Sequence, residues 1–242
     1  TRSLLRSVIS TMPLLRNGEY NEYMNYHPII NYFVREGVPI ETVYLLLMLP
    51  VIATLVAFFR QVVGIKAFGI YTPSIITFAF LAFGEKGLKY GIAIFFAVIG
   101  MGILSRYLLR AFRLLYLPRV AITLSIISIT VLAILAFGAS LQRTGIAAVD
   151  IFPLLILITL AEKFIATQIE QGTRTALFLA GETLIISIIG YFIIGWPALR
   201  YFFLQYPWVI LMTFLINIGL GKWSGLRLTE IFRFRHIFKQ ES

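Results

Sequence analysis

Two glutamates, Glu162 and Glu182, are the residues of this sequence best placed to do chemistry, because each interrupts a long apolar stretch. Gly172 lies ten residues from each of them. A helical hairpin at this glycine would therefore bring both carboxyl groups to one depth, about 15 Å from the turn. A carboxylate inside a bilayer costs about 2.5–3.5 kcal/mol, so each glutamate is expected to face the protein interior and to have a partner.

The chemistry open to this pair depends on the partners that it finds. Lys163 is adjacent to Glu162 but lies about 100° around the helix, so it pairs poorly with that glutamate. Lys66, Arg60 and Arg106 are better candidates, and the two carboxyl groups could instead share a proton. A proton or cation relay, an ammonium-binding site and a structural ion pair between three helices are therefore open alternatives.

A stretch between residues 62 and 73 interrupts the helical pattern with Gly64, Gly69 and Pro73. Because a helix that starts in lipid leaves backbone groups unsatisfied, this broken-helix segment is expected at the inner surface or packed inside the protein. Asn217 is a further polar residue within an apolar stretch, and we expect it to form a hydrogen bond to a neighbouring helix. The intramembrane polar set predicted from the sequence consists of Lys66, Glu162, Lys163, Glu182 and Asn217.

Arginines form a second candidate site. Arg106, Arg110 and Arg113 are spaced i, i+4 and i+7, which puts them on one face of a helix. The predicted basic cytoplasmic surface consists of Arg106, Arg110, Arg113, Arg119, Arg227, Arg233 and Arg235. Anionic lipid attracts such residues by about 1 kcal/mol each. The alternative is a seat for an anionic substrate or an acidic partner protein, which Phe232 and Phe234 favour for the C-terminal tail.

Seven apolar runs must position these residues. Each is about as long as a bilayer is thick, so they predict an all-α membrane helix bundle with seven transmembrane helices. The composition agrees, since 59% of the residues are hydrophobic and 13% are charged, against about 25% charged in soluble domains. The runs cover 43–59, 67–84, 90–105, 120–142, 151–161 with a continuation after Lys163, 183–199 and 201–221.

The positive-inside rule gives an orientation. With the C-terminus inside, the cytoplasmic loops hold thirteen lysines and arginines and the outer loops hold four. Cytoplasmic loops carry the excess in membrane proteins, so we expect the N-terminus outside and the C-terminus in the cytoplasm. Three regions follow: residues 1–40 form an extracytoplasmic interfacial segment or linker, 41–226 form the bundle, and 227–242 form a basic cytoplasmic tail.

Several function classes are disfavoured by the sequence. The net charge of +10 does not indicate nucleic-acid binding, because the basic residues lie between apolar runs. There is no cysteine, and His27 and His236 lie outside the runs, so we expect no metal and no cofactor. No nucleophile–base pair occurs at membrane depth, which argues against an intramembrane enzyme. The missing start methionine and signal peptide lead us to expect the C-terminal part of a longer protein.

Four ordered motifs carry a resemblance to a known family. They are 63–73 (VGIKAFGIYTP), 117–121 (LPRVA), 152–157 (FPLLIL) and 223–230 (WSGLRLTE). Over about residues 40–235 the chain resembles the bacterial seven-transmembrane-helix domain usually fused to an inactive transglutaminase-like domain. The resemblance implies a missing outer domain upstream and a place in the bacterial cytoplasmic (inner) membrane. It also implies association with an ATP-grasp peptide ligase, in a system that makes or exports a peptide or amino-acid polymer.

The sequence therefore predicts a non-catalytic membrane component that anchors an outer domain and docks a cytoplasmic partner protein on its basic surface. Two alternatives stay open. One is a proton-coupled transporter of a small anionic substrate in its own right; a path for a small anionic product past residues 64–73, Glu162 and Glu182 belongs to the non-catalytic component itself. The other is a signalling receptor module that passes an outer signal to the basic inner surface.

Overall fold

A computed structural model describes residues 26–83, 87–112, 115–140 and 151–222. Within these ranges every regular element is helical, which confirms the predicted all-α class there. In chain order the α-helices are α1 (Pro28–Arg35), α2 (Ile40–Phe58), α3 (Tyr71–Ala82), α4 (Gly87–Leu109), α5 (Tyr116–Ser140), α6 (Ile151–Gln171), α7 (Thr173–Ile194), α8 (Pro197–Gln205) and α9 (Ile210–Gly221). Short helical turns flank three of them: a π turn at Phe59–Val63, and 3₁₀ turns at Arg110–Phe112 and Pro207–Val209.

Four helical stretches are long and apolar enough to cross a membrane: Ile40–Val63, Gly87–Leu109, Tyr116–Phe137 and Thr173–Ile194. Each has 22 to 24 residues, which is about 33–36 Å of helix against about 30 Å of hydrocarbon. α6 has a similar length of 21 residues but carries Glu162, Lys163 and Glu170. The chain is thus a multi-pass membrane protein, while the number of seven spans and their orientation stay predictions.

Two of the expected spans differ from single straight helices. α3 has 12 residues, about 18 Å, which is too short to cross a bilayer alone. The expectation of one helix at 201–221 is wrong, because α8 and the stretch Pro207–Gly221 meet at 97°. Pro207 has no N–H to continue the helix, and it disfavours helical backbone at Tyr206, whose φ and ψ are −124° and 67°.

Two apolar cores hold the helices together, and α7 contributes to both. The larger core lies between α3, α4, α5, α6 and α7, around Phe80, Phe95 and Phe164. The smaller core joins α1, α2, α7 and α8 around Met48 and Leu204. Because lipid is as apolar as these side chains, close packing contributes more to helix association here than removal of apolar surface from water does.

The two ends of the bundle differ in charge. Arg106 near the end of α4 contacts the junction of α6 and α7 and lines one cavity with Arg119 of α5, and Glu182 of α7 contacts the segment before α3. One end therefore collects the segments that join α2 to α3, α4 to α5, and α6 to α7. We call this the basic end; its cations are Arg60, Lys66, Arg106, Arg110, Arg119, Arg174 and Lys222. At the opposite end Arg200 forms an ion pair with Glu41, and Trp196 and Trp208 are exposed beside α8. Tryptophan is enriched where membrane meets water, so α8 has the surroundings of an interfacial helix.

Candidate functional site

Glu182 of α7 binds the backbone of the broken-helix segment. The N–H groups of Lys66 and Ala67 both donate to Glu182 Oε2, each at 2.9 Å. The next N–H, that of Phe68, donates to Thr183 Oγ1 at 3.0 Å. Consecutive backbone N–H groups that converge on one anion form a nest, and in this chain the anion is a side chain of a helix 115 residues further on.

The backbone of this segment adopts the left-handed conformation three times. Gly64, Ala67 and Gly69 have φ angles of 94°, 45° and 87°. Glycine adopts such angles without cost, whereas alanine loses about 1–2 kcal/mol. Ala67 is nevertheless buried, and its N–H is one of the two that bind Glu182. The carboxylate therefore stabilises a conformation that the local sequence alone disfavours.

The hydrogen-bond donors to Glu182 are therefore backbone N–H groups. The Lys66 side chain is exposed, and within the described ranges no ion pair joins Glu182 to a lysine or arginine. The broken-helix segment is packed against α7, which is one of the two placements expected for it. Because the N–H groups of Lys66, Ala67 and Phe68 donate to side chains of α7, these three groups do not need water or lipid headgroups as acceptors.

Glu162 lies on the outward face of α6, and the expectation that it faces the interior is wrong. Ala161, Phe164 and Ile165 form the buried face of this helix, and Glu162 is about 100° away from Ala161. It is exposed, as is Lys163, and none of the described side chains makes a hydrogen bond or ion pair with it. The predicted ion pair between three helices through Glu162 is therefore not formed in the described part of the chain.

Pro73 anchors α3 to α7 by a small polar network that the sequence analysis did not identify. Its carbonyl oxygen accepts hydrogen bonds from Thr77 Oγ1 at 2.9 Å and from Ser187 Oγ at 3.0 Å. Both hydroxyl-bearing residues are completely buried. α7 approaches closely at this point, because a Cβ added to Gly190 would lie 2.7 Å from Thr77 Oγ1. The recurrence of threonine, serine and glycine on α3 and α7 was the available signal.

Asn217 joins α9 to α2. Its Nδ2 donates to Thr54 Oγ1 at 2.7 Å and to the Thr213 carbonyl at 2.8 Å. The Thr54 hydroxyl in turn donates to the carbonyl of Pro50 at 2.7 Å. This is an inter-helix hydrogen bond of the kind expected for Asn217. It lies beside a cavity of about 350 Å³ lined by Ala57, Arg60, Gln61, Ile70, Asn217, Leu220 and Gly221.

Arg106 of α4 fastens the hairpin between α6 and α7. Its Nη1 donates to the Gln168 carbonyl at 2.7 Å and to Thr173 Oγ1 at 3.0 Å. Gly172, with a φ of 91°, is the single residue between the two helices. A cation near the C-terminus of a helix interacts favourably with its free carbonyl groups and its dipole. Arg106 therefore has a structural role at the basic end.

Three arginines border one cavity at this end. It has a volume of about 400 Å³ and is lined by Arg106, Tyr107, Arg110, Arg119 and Thr173. We call it the arginine cavity. Arg106 comes from the last turn of α4 and Arg110 from the 3₁₀ turn that follows it, whereas Arg119 comes from the first turn of α5 and Thr173 is the first residue of α7. The sequence predicted the arginines as one surface, but the contributions of Tyr107 and Thr173 depend on how α4 and α7 meet.

Four of the predicted basic residues lie outside the described ranges: Arg113, Arg227, Arg233 and Arg235. The expected interfacial segment is described only from residue 26, where α1 packs on α2 through the buried Ile30. The first N–H of this part, that of His27, donates to the Leu204 carbonyl of α8 at 3.2 Å. Residues 26–40 therefore pack against the bundle.

Comparison with known proteins identifies a family but no individual relative. No curated protein and no solved structure matches the chain. A family model described as seven transmembrane helices usually fused to an inactive transglutaminase matches residues 8–238. The match covers nearly the whole chain, and it confirms the resemblance carried by the ordered motifs. With several membrane-length helices in the same stretch, the chain belongs to the family of seven-transmembrane-helix domains that are usually fused to an inactive transglutaminase.

Proposed function

We propose that this chain is a non-catalytic component of the bacterial cytoplasmic membrane, which anchors an outer domain and docks an acidic partner protein at its basic end. The observation that carries the proposal is the charge of that end. It gathers seven described cations, of which five are exposed: Lys66, Arg106, Arg110, Arg174 and Lys222. The positive-inside rule makes this the cytoplasmic side, where a soluble partner would meet it.

The family supplies the rest of the proposal. Its members are usually fused to an inactive transglutaminase, so an outer domain joined to the N-terminal side of the bundle is the part to be anchored. The resemblance implies an ATP-grasp peptide ligase as the cytoplasmic partner. Docking on exposed lysines and arginines would raise the association rate and depend on salt, because exposed charges are screened over about 8–10 Å.

A pull-down from native membranes with the full-length protein tests this proposal. We expect it to recover a peptide ligase at low salt, and Arg233→Glu with Arg235→Glu to abolish the recovery. Arg35→Glu is the matched control, because Arg35 is exposed but lies at the opposite end. Unchanged recovery with the double variant would remove the tail from the docking surface, and recovery of no acidic protein would overturn the docking role.

A proton-coupled transporter is the second candidate, and the bond between Glu182 and the broken-helix segment favours it. Interrupted helices whose free backbone groups bind ions or carboxylates are typical of transporter binding sites. Flux of small anions into liposomes across a pH gradient would decide. Transport that is lost with Glu182→Gln and kept with Glu162→Gln would support this candidate, whereas no flux for the unmodified protein would exclude it.

A further inference from the structure

We propose that the arginine cavity binds a phosphate group carried by a lipid. The phosphate would lie between Arg106, Arg110 and Arg119, with the acyl chains along the apolar side chains of α4 and α5. This site goes beyond the proposed docking function. It requires no partner protein, and it is tested with the purified chain alone, so either proposal can fail without the other.

The charge of the cavity is the first argument. Three of the five described residues that line it are arginines, and none of these five is an Asp or Glu. An anion placed between guanidinium groups that border one cavity is attracted by each of them. Arginine presents a planar fork of N–H donors that matches phosphate oxygens in pairs. A phosphate is therefore a better fit than a halide or a single carboxylate.

The second argument is that one side of the cavity is already fixed in place. Arg106 Nη1 is held by the Gln168 carbonyl and by Thr173 Oγ1 at 2.7 and 3.0 Å. Thr173 Oγ1 also accepts a hydrogen bond from Gln168 Nε2 at 3.3 Å. With two donors on its oxygen, the hydroxyl proton of Thr173 is left to point to another acceptor. A site whose donors are held before the ligand arrives loses less entropy on binding.

The surroundings of the cavity favour a lipid over a soluble phosphate. Large apolar side chains next to the cavity-lining residues in sequence are exposed, at or beside the ends of two membrane-length helices; they are Tyr107, Leu108, Phe112, Leu115 and Leu117. A soluble phosphate would make no use of them. An anionic phospholipid would cover them with its acyl chains while its headgroup reaches the arginines, and such a pocket between helices on the cytoplasmic side is a suitable headgroup site.

The test measures lipid retention by the purified protein. The protein in detergent micelles is titrated with phosphatidylglycerol, and bound lipid is counted by native mass spectrometry. Arg110→Gln removes an exposed cavity residue without touching the Arg106 bonds. Arg174→Gln is the matched control, because Arg174 is exposed at the same end and stacks on Phe178 at 5.9 Å but does not line the cavity.

We expect Arg110→Gln to weaken phosphatidylglycerol binding by about tenfold more than Arg174→Gln does, since it removes charged hydrogen bonds rather than a diffuse attraction. Arg110→Lys keeps the charge but not the fork, and we expect it to restore binding only in part. Equal losses for Arg110→Gln and Arg174→Gln would overturn the site. Thermal unfolding of each variant checks that it is folded.

Two further ligands identify what carries the phosphate. Zwitterionic phosphatidylcholine should bind more weakly than phosphatidylglycerol, because its choline group is repelled by the arginines. Inorganic phosphate in excess should not displace phosphatidylglycerol. Displacement by millimolar inorganic phosphate would mean that the cavity recognises a soluble phosphate, and it would overturn the assignment to a lipid.

Discussion

Glu182 stabilises the irregular backbone between α2 and α3. Its carboxylate oxygen accepts the N–H groups of Lys66 and Ala67, which no helix satisfies. Glu162, at the same distance from the Gly172 turn, is exposed on the outside of α6. The two glutamates are alike in sequence context, yet one is bound to the protein and the other faces its surroundings. At the residue scale, therefore, the two carboxylates differ because Glu182 accepts backbone hydrogen bonds and Glu162 makes none with the described residues.

Exchange of these two glutamates for alanine separates their roles. Glu182→Ala leaves two donors without an acceptor, so we expect a loss of about 1–3 kcal/mol in the free energy of unfolding. Glu182→Gln keeps one acceptor oxygen and should lose less. The control Glu162→Ala should be neutral or stabilising, because it removes an unpartnered charge. Unfolding in mixed micelles measures all three, and equal effects at both positions would contradict this account of Glu182.

At the element scale, the contact between α3 and α7 depends on small and hydroxyl-bearing residues. Two hydroxyl groups meet at the carbonyl of Pro73, and Gly190 lets the two helices approach. α3 has 12 residues, so it relies on this contact and on the broken-helix segment for its position. α7 thus holds the short helix α3 in two ways. Glu182 binds the backbone just before it, and Ser187 binds the Pro73 carbonyl within it.

Two glycines of α7 provide a matched test of that contact. Gly190→Ala would place a methyl group 2.7 Å from Thr77 Oγ1, which is completely buried and has no room to move. We expect a loss of about 1–3 kcal/mol, the usual cost of overpacking. Gly181→Ala on the same helix meets no atom within 4 Å and should show no loss. Thermal unfolding in detergent compares them, and equal stability of the two variants would argue against the close approach.

The hydrogen bond between Asn217 and Thr54 is a further inter-helix link with a measurable strength. Thr54→Val, Asn217→Leu and the double variant form a thermodynamic cycle. We expect a coupling free energy of about 0.6 kcal/mol, and at most about 1.7 kcal/mol, as found for such bonds in membrane proteins. A coupling of zero in the unfolding free energies would show that the 2.7 Å contact contributes nothing beyond packing.

At the scale of the whole molecule, charge is divided between the two ends. The basic end holds the broken-helix segment, both described cavities and most described cations. The other end holds α1, α8 and exposed tryptophans. The docking and lipid proposals share this polarity, and the docking proposal also depends on the basic end facing the cytoplasm.

Cysteine labelling tests that orientation, and this chain suits it because it has no cysteine of its own. A membrane-impermeant maleimide should label Tyr32→Cys in intact cells, since Tyr32 is exposed at the end opposite the basic one. Lys222→Cys should be labelled only after permeabilisation. Labelling of Lys222→Cys in intact cells would reverse the orientation, and with it the cytoplasmic placement of the docking surface and the arginine cavity.

The sequence by itself determined the class, the helices and the family. Long runs without charge determine membrane helices because the hydrocarbon thickness fixes their length. α2, α4 and α5 lie where these runs predicted, whereas α7 begins ten residues before the run 183–199 and ends at Ile194. The four motifs determined the family, because they occur in the order that the family shows. Gly64, Gly69 and Pro73 determined a break between α2 and α3, because glycine and proline act on the backbone locally.

Only the tertiary structure decided which residues meet. Helical periodicity places residues on one face but does not say which neighbour covers that face, so the opposite surroundings of Glu162 and Glu182 could not be predicted. The nest that binds Glu182 comes from a segment 115 residues away, and the arginine cavity needs α4, α5 and α7 together. The bend of 97° beside α8 could not be predicted for a related reason. Hydropathy measures the free energy of transferring a segment into lipid, and it does not indicate the direction in which a helix runs.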